Sequence, residues 1–190
     1  MTFKLAWLAA AALMLRAIGL LHAQASPFDP VTRDTVGRGI NCYHHARYIV
    51  VERPVAEVGS DLFIRPARSH RCAADSLPGD IVLRNHDAEY FLGLRGDLLF
   101  IDNGTGPDFR GLILVDLRTQ RRLLQTDYVG DVVSGPDAFT VGVWHGYELT
   151  QPAAGCPKTD MIPGVDSLFW IDLRSGSTRF AQRTRCAERQ

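Results

Sequence analysis

The sequence predicts an all-β protein, an antiparallel meander that forms a small propeller-like, barrel or sandwich domain with two disulfide bonds. Three observations lead to this fold class. Short apolar runs are separated by Gly, Pro, Asn and Asp, and these turn signals recur about every 8–12 residues. Beyond residue 25, no window of about 11 residues has helical spacing of its apolar side chains. All four cysteines lie in that same part of the chain.

Residues 1–25 have the features of a secretory signal peptide. Lys4 supplies a positive flank, residues 5–15 supply an apolar core, and Ala23-Gln24-Ala25 has the A-x-A form of a cleavage site. Arg16 interrupts the apolar run, so the run falls short of the roughly 18–20 residues that a stable membrane span needs. We therefore expect one β-rich domain over residues 26–190 and a periplasmic or secreted location.

The overall charge restricts the class of partner. The chain carries 21 basic and 21 acidic residues, so its net charge is +0. Such a balance gives no general attraction to nucleic acid or to an anionic membrane surface. We expect no nucleic-acid partner, and we expect an unknown protein, peptide or glycan in the export compartment.

The stretch from residue 89 to residue 127 is the centre of the predicted meander. It contains four short apolar runs, at residues 90–94, 98–102, 112–117 and 122–126. The runs Leu98–Ile101 and Leu112–Val115 are apolar without alternation, which predicts strands covered on both faces. Arg95-Gly96 is a hairpin break, and Asn103-Gly104 opens a longer loop.

Further strands are predicted on both sides of this centre. They cover residues 46–52, 61–65, 80–84, 129–134, 139–145, 147–150, 168–173 and 178–182. Residues 26–41 have two prolines and no apolar period, so we expect an extended lead-in. Residues 151–164 hold three prolines and two glycines, which predicts a long irregular surface loop.

The four cysteines are Cys42, Cys72, Cys156 and Cys186. In an exported protein an even number indicates disulfides rather than a metal site, and no C-x₂₋₄-C pair is present. Sequence alone allows three connectivities. We expect the local pairing, Cys42 with Cys72 and Cys156 with Cys186. The alternative is Cys42 with Cys186, which would join the two ends of the domain.

Two segments repeat one pattern of four apolar residues, Asp, Leu, Arg and a hydroxyl residue. They are residues 112–119 and residues 168–175. In each, the Asp side chain can bond backbone amides of the following turn. Residues 98–126 and 168–182 resemble blade hairpins of β-propellers of the YVTN or WD40-like kind. The match departs from these families at Gln120, where Gly is usual, and the repeat is longer than theirs. The resemblance implies blade-like hairpins and no particular function.

The loop after the second central strand is the first candidate site. Asp102, Asn103 and Asp108 place oxygen atoms of the kind that Ca²⁺ accepts on a glycine-rich turn, without the regular spacing of a calcium loop. We therefore expect no cofactor and no metal, with calcium as the alternative. Arg110 either reaches a ligand carboxylate or pairs with Asp108 or Asp116.

Two histidines lie near carboxylates in the sequence. His86 precedes Asp87, and His145 follows Trp144, a tryptophan that we consider for an exposed recognition patch. A hydrolase would need His86, Asp87, His145 and Asp102 to meet in three dimensions as acid–base groups.

No residue pattern specific to a catalytic class is present, neither G-x-S-x-G nor S-x-x-K nor H-E-x-x-H. We therefore expect an exported, non-enzymatic binding module and assign no catalytic residue. The alternatives are the hydrolase just described and a structural envelope component.

Overall fold

The computed structural model describes residues 26–37, 39–69, 71–106 and 108–189, so the predicted signal peptide lies outside the described residues. This part of the chain contains twelve strands, one short 3-10 turn and no α-helix. The strands are β1 (Thr32–Val36), β2 (Ile40–His44), β3 (Tyr48–Pro54), β4 (Ser60–Pro66), β5 (Ile81–Leu83), β6 (Glu89–Arg95), β7 (Leu98–Asn103), β8 (Arg110–Asp116), β9 (Arg121–Ser134), β10 (Thr140–Glu148), β11 (Ile162–Asp172) and β12 (Thr178–Arg189). Within the described ranges no helix has the length and apolar character to span a membrane.

The strands form two antiparallel meanders. The first sheet has the order β1-β2-β3-β4-β5, and the second has the order β12-β11-β10-β9-β8-β7-β6. Every strand therefore pairs only with its neighbours in the chain, as the predicted antiparallel meander requires. Both sheets stay open at their edges, so of the predicted arrangements a closed barrel is excluded for the described residues.

The central strands β7 and β8 are buried on both faces, as their unbroken apolar runs predicted. On one face, Leu99 and Ile113 pack with Val50 and Ile64 of the first sheet. On the other face, Phe100, Leu112 and Leu114 pack with valines of β10 and with Ile171 of β11. Strands β6–β8 therefore form a central layer between the first sheet and the C-terminal strands.

The second sheet reaches this arrangement by folding back on itself through β9. The first half of β9, as far as Tyr128, pairs with β8, and the half from Val129 onward pairs with β10. Gly130 has a left-handed backbone, φ 68, at the point where β9 leaves one partner for the other. Arg95, the last residue of β6, donates to the Thr140 carbonyl oxygen at 3.4 Å, although β6 and β10 are four strands apart in the sheet.

Both disulfides have the predicted local pairing. Cys42 pairs with Cys72 and Cys156 pairs with Cys186, at Cα–Cα distances of 5.9 and 5.6 Å. Cys42 is fully buried on β2, and its bridge holds the loop between β4 and β5. The second bridge holds the loop between β10 and β11 against β12. Two disulfides are compatible with a protein that folds in an oxidising compartment.

The turns of the repeated pattern have the bonding predicted for them. The Asp116 carboxylate accepts the backbone N–H of Arg118 at 2.8 Å, and the Asp172 carboxylate accepts those of Arg174 and Ser175 at 3.0 and 2.9 Å. The Ser175 hydroxyl also donates to Asp172 at 2.9 Å. These donors lower the pKa of Asp172, with the Ser175 hydroxyl making the largest contribution.

The chain departs from the sequence prediction where strands contain polar residues. The lead-in at 26–41 contains β1 and the start of β2, because β1 gains its backbone partners only from β2. Strand β9 is one continuous strand where we predicted two, and β10 likewise joins two predicted strands. Strand β11 begins at Ile162, inside the predicted irregular loop, and β12 continues seven residues past Gln182 to Arg189.

Candidate functional site

A cleft of about 310 Å³ lies between the first sheet and the central layer, beside strand β5. We name it the β5 cleft. Its floor is apolar and is made by Leu62 of β4, Ile101 of β7, and Ile113 and Val115 of β8. Its wall carries Val82 and charged or polar side chains, namely Arg84, His86, Glu89 and Arg122. A concave apolar floor with a few polar groups around it is the usual form of a ligand site.

The cleft exists because β5 is short. Strand β5 has three residues, whereas the neighbouring β4 has seven, so the first sheet ends before it covers β8 and β9. Only Leu62, Phe63 and Ile64 of β4 have a partner on β5. The apolar side chains at the floor of the cleft are closely packed, because Ile113 and Val115 of β8 are only 3% and 6% exposed.

The charged rim is positioned by ion pairs and a turn. Arg84 donates to the Asp61 carboxylate at 2.7 Å, and Arg53 donates to the same oxygen at 2.7 Å. Burial acts to raise the pKa of Asp61, but the Asn85 backbone N–H and these two guanidinium groups outweigh it and lower the pKa. The side chain of Arg84 is thus held in place by the ionised carboxylate of Asp61.

The Glu89 carboxylate is hydrogen-bonded to the backbone of the turn that precedes it. One oxygen of this carboxylate accepts the backbone N–H groups of His86 and Asp87, both at 2.7 Å. Arg122 contacts only the side-chain oxygen of Gln125 and makes no ion pair within the described residues. Within the described residues the rim therefore presents two charges without an ion-pair partner, the Arg122 guanidinium group and the Glu89 carboxylate.

Strand β5 is also the sheet edge that is open to a partner strand. It pairs only with β4 in the described structure, and its residues Ile81, Val82 and Leu83 carry no charge. Val82 is 38% exposed. An uncharged edge with unpaired backbone groups accepts an added strand readily.

The edge at β6 is closed by contacts from elsewhere in the chain. The Glu52 carboxylate accepts the backbone N–H of Phe91 at 3.0 Å, and the Asp29 backbone N–H donates to the Leu94 carbonyl oxygen at 2.8 Å. The Phe28 ring lies so close to Gly93 that a Cβ there would overlap it. The N-terminal segment thus fills the position that an added strand would need.

The edges at β12 and β1 carry charges that disfavour pairing with another strand. Strand β12 has a register shift opposite Ser167 and Phe169 and a left-handed residue, Gln182, with φ 55. It also carries several arginines, and β1 has the charged sequence TRDTV. Bulges and charges are the features by which sheet edges avoid added strands. Among the described edges, β5 has neither a bulge nor a charged residue, and its length of three residues limits the pairing that an added strand can make.

The loop residues proposed as metal ligands serve the fold instead. The Asp102 carboxylate accepts Arg110 at 2.9 Å and the Tyr128 hydroxyl at 2.7 Å. Burial and this bond to Asp102 raise the pKa of Tyr128. Asp108 lies 4.0 Å from Arg189, and Asn103 pairs with Gly111 at the end of β7. No set of three His, Cys, Asp or Glu side chains with metal-binding geometry occurs in the described ranges.

One of our expectations for this region is incomplete and another is wrong. Arg110 pairs with Asp102, a carboxylate that we did not consider, because it lies opposite Tyr128 at the start of β8 and its guanidinium carbon is 5.2 Å from the centroid of that ring. Trp144 is 8% exposed and packs with Val129 and Leu168, so it does not form an exposed aromatic patch.

The four groups considered for hydrolysis do not meet as a catalytic set. His86 lies on the rim of the β5 cleft, whereas Asp102 is buried between Arg110 and Tyr128. His145 is half-buried with its ring 4.6 Å from that of Phe169, and burial lowers its pKa. Across the described residues, no hydrogen bond or ion pair joins any two of these three or joins one to Asp87.

Sequence reasoning found only one residue of the cleft, His86. Arg84 and Arg122 were not predicted. The cleft forms where β5 ends above β8 and β9, and no local sequence pattern marks the end of β5. No protein-family model, curated protein or solved structure matches the chain.

Proposed function

We propose that this protein is an exported, non-enzymatic module that binds an extended segment of a partner protein at the β5 cleft. The bound segment adds a strand to β5 and places alternate side chains on the apolar floor. The observation that carries the proposal is the position of the uncharged edge of β5 directly beside that floor.

The charged side chains of the rim indicate which residues the bound segment contains. Arg122 has no carboxylate partner in the described structure, and Arg84 and His86 lie on the same wall. The Glu89 carboxylate is engaged by two backbone N–H groups, which reduces its capacity to repel an anion. The partner segment therefore carries an acidic side chain that pairs with Arg122, flanked by apolar residues at alternate positions.

The compartment belongs to the same proposal. The signal-peptide features of residues 1–25 and the two disulfides support secretion or a periplasmic location. The likeness of residues 98–126 and 168–182 to propeller-blade hairpins stays a prediction, supported by the equivalent turns at Asp116 and Asp172. This likeness concerns the fold and gives no information about the ligand.

Selection from a phage-displayed library of random dodecapeptides tests the proposal. Peptides enriched on the oxidised protein should contain an acidic residue among apolar ones. Changing Arg122→Glu should weaken their binding by about tenfold, equivalent to about 1.4 kcal/mol. Arg121→Glu is the matched control, because adjacent strand residues point to opposite faces, and it should change affinity less than about twofold.

Backbone methylation of a selected peptide tests strand addition itself. In an antiparallel pair only alternate residues exchange hydrogen bonds with the neighbouring strand. Methylating the alternate amides that face β5 should abolish binding. Methylating the amides in between, which face away from β5, should leave binding intact. Equal binding of both methylated peptides, or equal enrichment on the wild type and Arg122→Glu, contradicts the proposal.

A further inference from the structure

A second cleft, of about 400 Å³, lies at the end of the layers where the turns after β6, β8, β9 and β11 meet. We name it the arginine cleft. Three arginines line it: Arg95 at the end of β6, Arg118 after β8 and Arg174 after β11. It shares no lining residue with the β5 cleft.

The repeated sequence pattern explains why two of these arginines meet. Arg118 and Arg174 occupy the same position in the two copies of the pattern, two residues after Asp116 and Asp172. Both turns are held by the same bond from the Arg backbone N–H to the Asp side chain, at 2.8 and 3.0 Å. Because the second sheet folds back, the two turns come to the same end of adjacent layers, and both side chains line one space.

The carboxylates near the arginine cleft attract its guanidinium groups electrostatically, Asp116 acting on Arg118 and Asp172 on Arg174, but they form no ion pair with them in the described structure. Asp97 is held through one oxygen by Arg47 and through the other by the Tyr48 hydroxyl, both at 2.8 Å. Asp116 accepts the Arg118 backbone N–H. Neither carboxylate pairs with an arginine side chain of the cleft in the described structure.

The guanidinium groups themselves keep donors available. Arg118 is exposed, and its side chain makes no hydrogen bond or ion pair with a described residue. The guanidinium carbon of Arg174 lies over the Phe139 ring, 3.6 Å from its centroid, a contact that uses none of the N–H donors of the group. Arg95 makes a single long bond of 3.4 Å to the Thr140 carbonyl oxygen.

We infer that the arginine cleft binds a phosphate group, either free phosphate or the phosphate of a small phosphorylated metabolite. Guanidinium groups bind phosphate through paired, charge-assisted hydrogen bonds. Donors that approach from three separate turns suit a tetrahedral oxyanion, which offers acceptors in several directions, better than a planar carboxylate. The volume of about 400 Å³ leaves room for a group attached to the phosphate.

Isothermal titration of the full, oxidised protein with inorganic phosphate in a chloride buffer tests this inference. Arg118→Gln and Arg174→Gln should each weaken binding about five- to tenfold, and the double variant should remove measurable binding. Arg68→Gln changes an exposed arginine of the 3-10 turn, outside the cleft; it is the matched control and should change affinity less than about twofold. Arg118→Lys should also weaken binding, because an ammonium group retains the charge without the paired donors.

Two further titrations identify the source of the phosphate. Tighter binding of glucose 6-phosphate than of inorganic phosphate supports an organic phosphate, and equal or weaker binding supports the free ion. Succinate should bind much more weakly than either. The inference is overturned if phosphate does not bind, if succinate binds as tightly, or if the correctly folded double variant binds like the wild type.

Discussion

Gln120 and Gly176 occupy the same position in the two copies of the repeated turn, four residues after Asp116 and Asp172, and both have a left-handed backbone. Their φ angles are 54 and 72. Glycine adopts this conformation without steric cost, whereas a residue with a side chain does so at a cost of about 1 kcal/mol. The same turn is therefore formed with strain at one site and without it at the other.

Replacing Gln120 should stabilise the protein. Gln120→Gly removes the steric cost of the left-handed backbone, and we expect a gain of about 0.5–1 kcal/mol in the free energy of unfolding. Urea unfolding measures it. The matched change, Gly176→Ala, should destabilise, because a Cβ there would lie 2.7 Å from the Leu123 carbonyl oxygen. A lower unfolding midpoint for Gln120→Gly would contradict the strain at this turn.

The buried pair of Arg65 and Asp80 should be essential for stability. Their side chains are 1% and 3% exposed, and the guanidinium group also donates to the Arg71 carbonyl oxygen at 3.0 Å. Arg65→Met leaves a buried, unpaired carboxylate and should cost about 3–5 kcal/mol. The exposed Arg47 is the control, and Arg47→Ala should cost below about 1 kcal/mol. Similar losses in the two variants, measured by urea unfolding, would show that burial is not the decisive difference.

Stability should decrease as the pH falls below neutrality. Burial lowers the pKa of both His145 and His45, with Asp127 and Asp29 opposing the shift only in part. The unfolded chain therefore binds more protons than the folded protein as the pH falls through about 6.5, and stability is lost from there down to the folded pKa values.

His145→Phe tests this dependence, because it keeps an aromatic ring against Phe169 and removes one titrating group. Urea unfolding at pH 7 and pH 5 should show a smaller loss of stability in the variant than in the wild type. An identical loss would exclude a contribution from His145. The carboxylates of Asp116 and Asp172, whose pKa values are lowered, act in a separate range, since their contributions are lost only below about pH 3.8.

The two disulfides should contribute unequally. Each closes a loop with a sequence separation of 30, worth about 3–4 kcal/mol through the unfolded state. Cys42 is also fully buried among Ile49, Val51 and Phe63, so its loss removes packing as well. We expect the double Cys42→Ser and Cys72→Ser variant to melt below the double Cys156→Ser and Cys186→Ser variant in calorimetry. The reverse order would contradict a contribution from this packing.

The sequence predicted those parts of the fold that have a local cause. The unbroken apolar runs at Leu98–Ile101 and Leu112–Val115 predicted strands buried on both faces, and both are. The separation of the cysteines and the Asp-Leu-Arg turns are equally local features. Strand β1, by contrast, is polar and exposed along its whole length, so only its partner β2 makes it a strand.

The clefts could not be predicted in the same way. Arg122 lines the β5 cleft because β5 ends after three residues, and Arg174 meets Arg118 because β9 returns the sheet over itself. Each depends on contacts between strands far apart in the sequence. The sequence did contain one signal, because Arg118 and Arg174 occupy equivalent positions in the repeat. That these two side chains line one cleft follows only from the way the layers pack.

The continuous strand β9 restricts which parts of the molecule can move. Since one strand belongs to both the central and the C-terminal layers, these layers share backbone hydrogen bonds and must shift as a unit. The first sheet has no strand pairing with them, but Glu52 of β3 accepts the backbone N–H of Phe91 on β6, and Arg47 and Tyr48 bond the carboxylate of Asp97. Because Asp97 lines the arginine cleft, a shift of the first sheet at the β5 cleft would be transmitted to the arginine cleft.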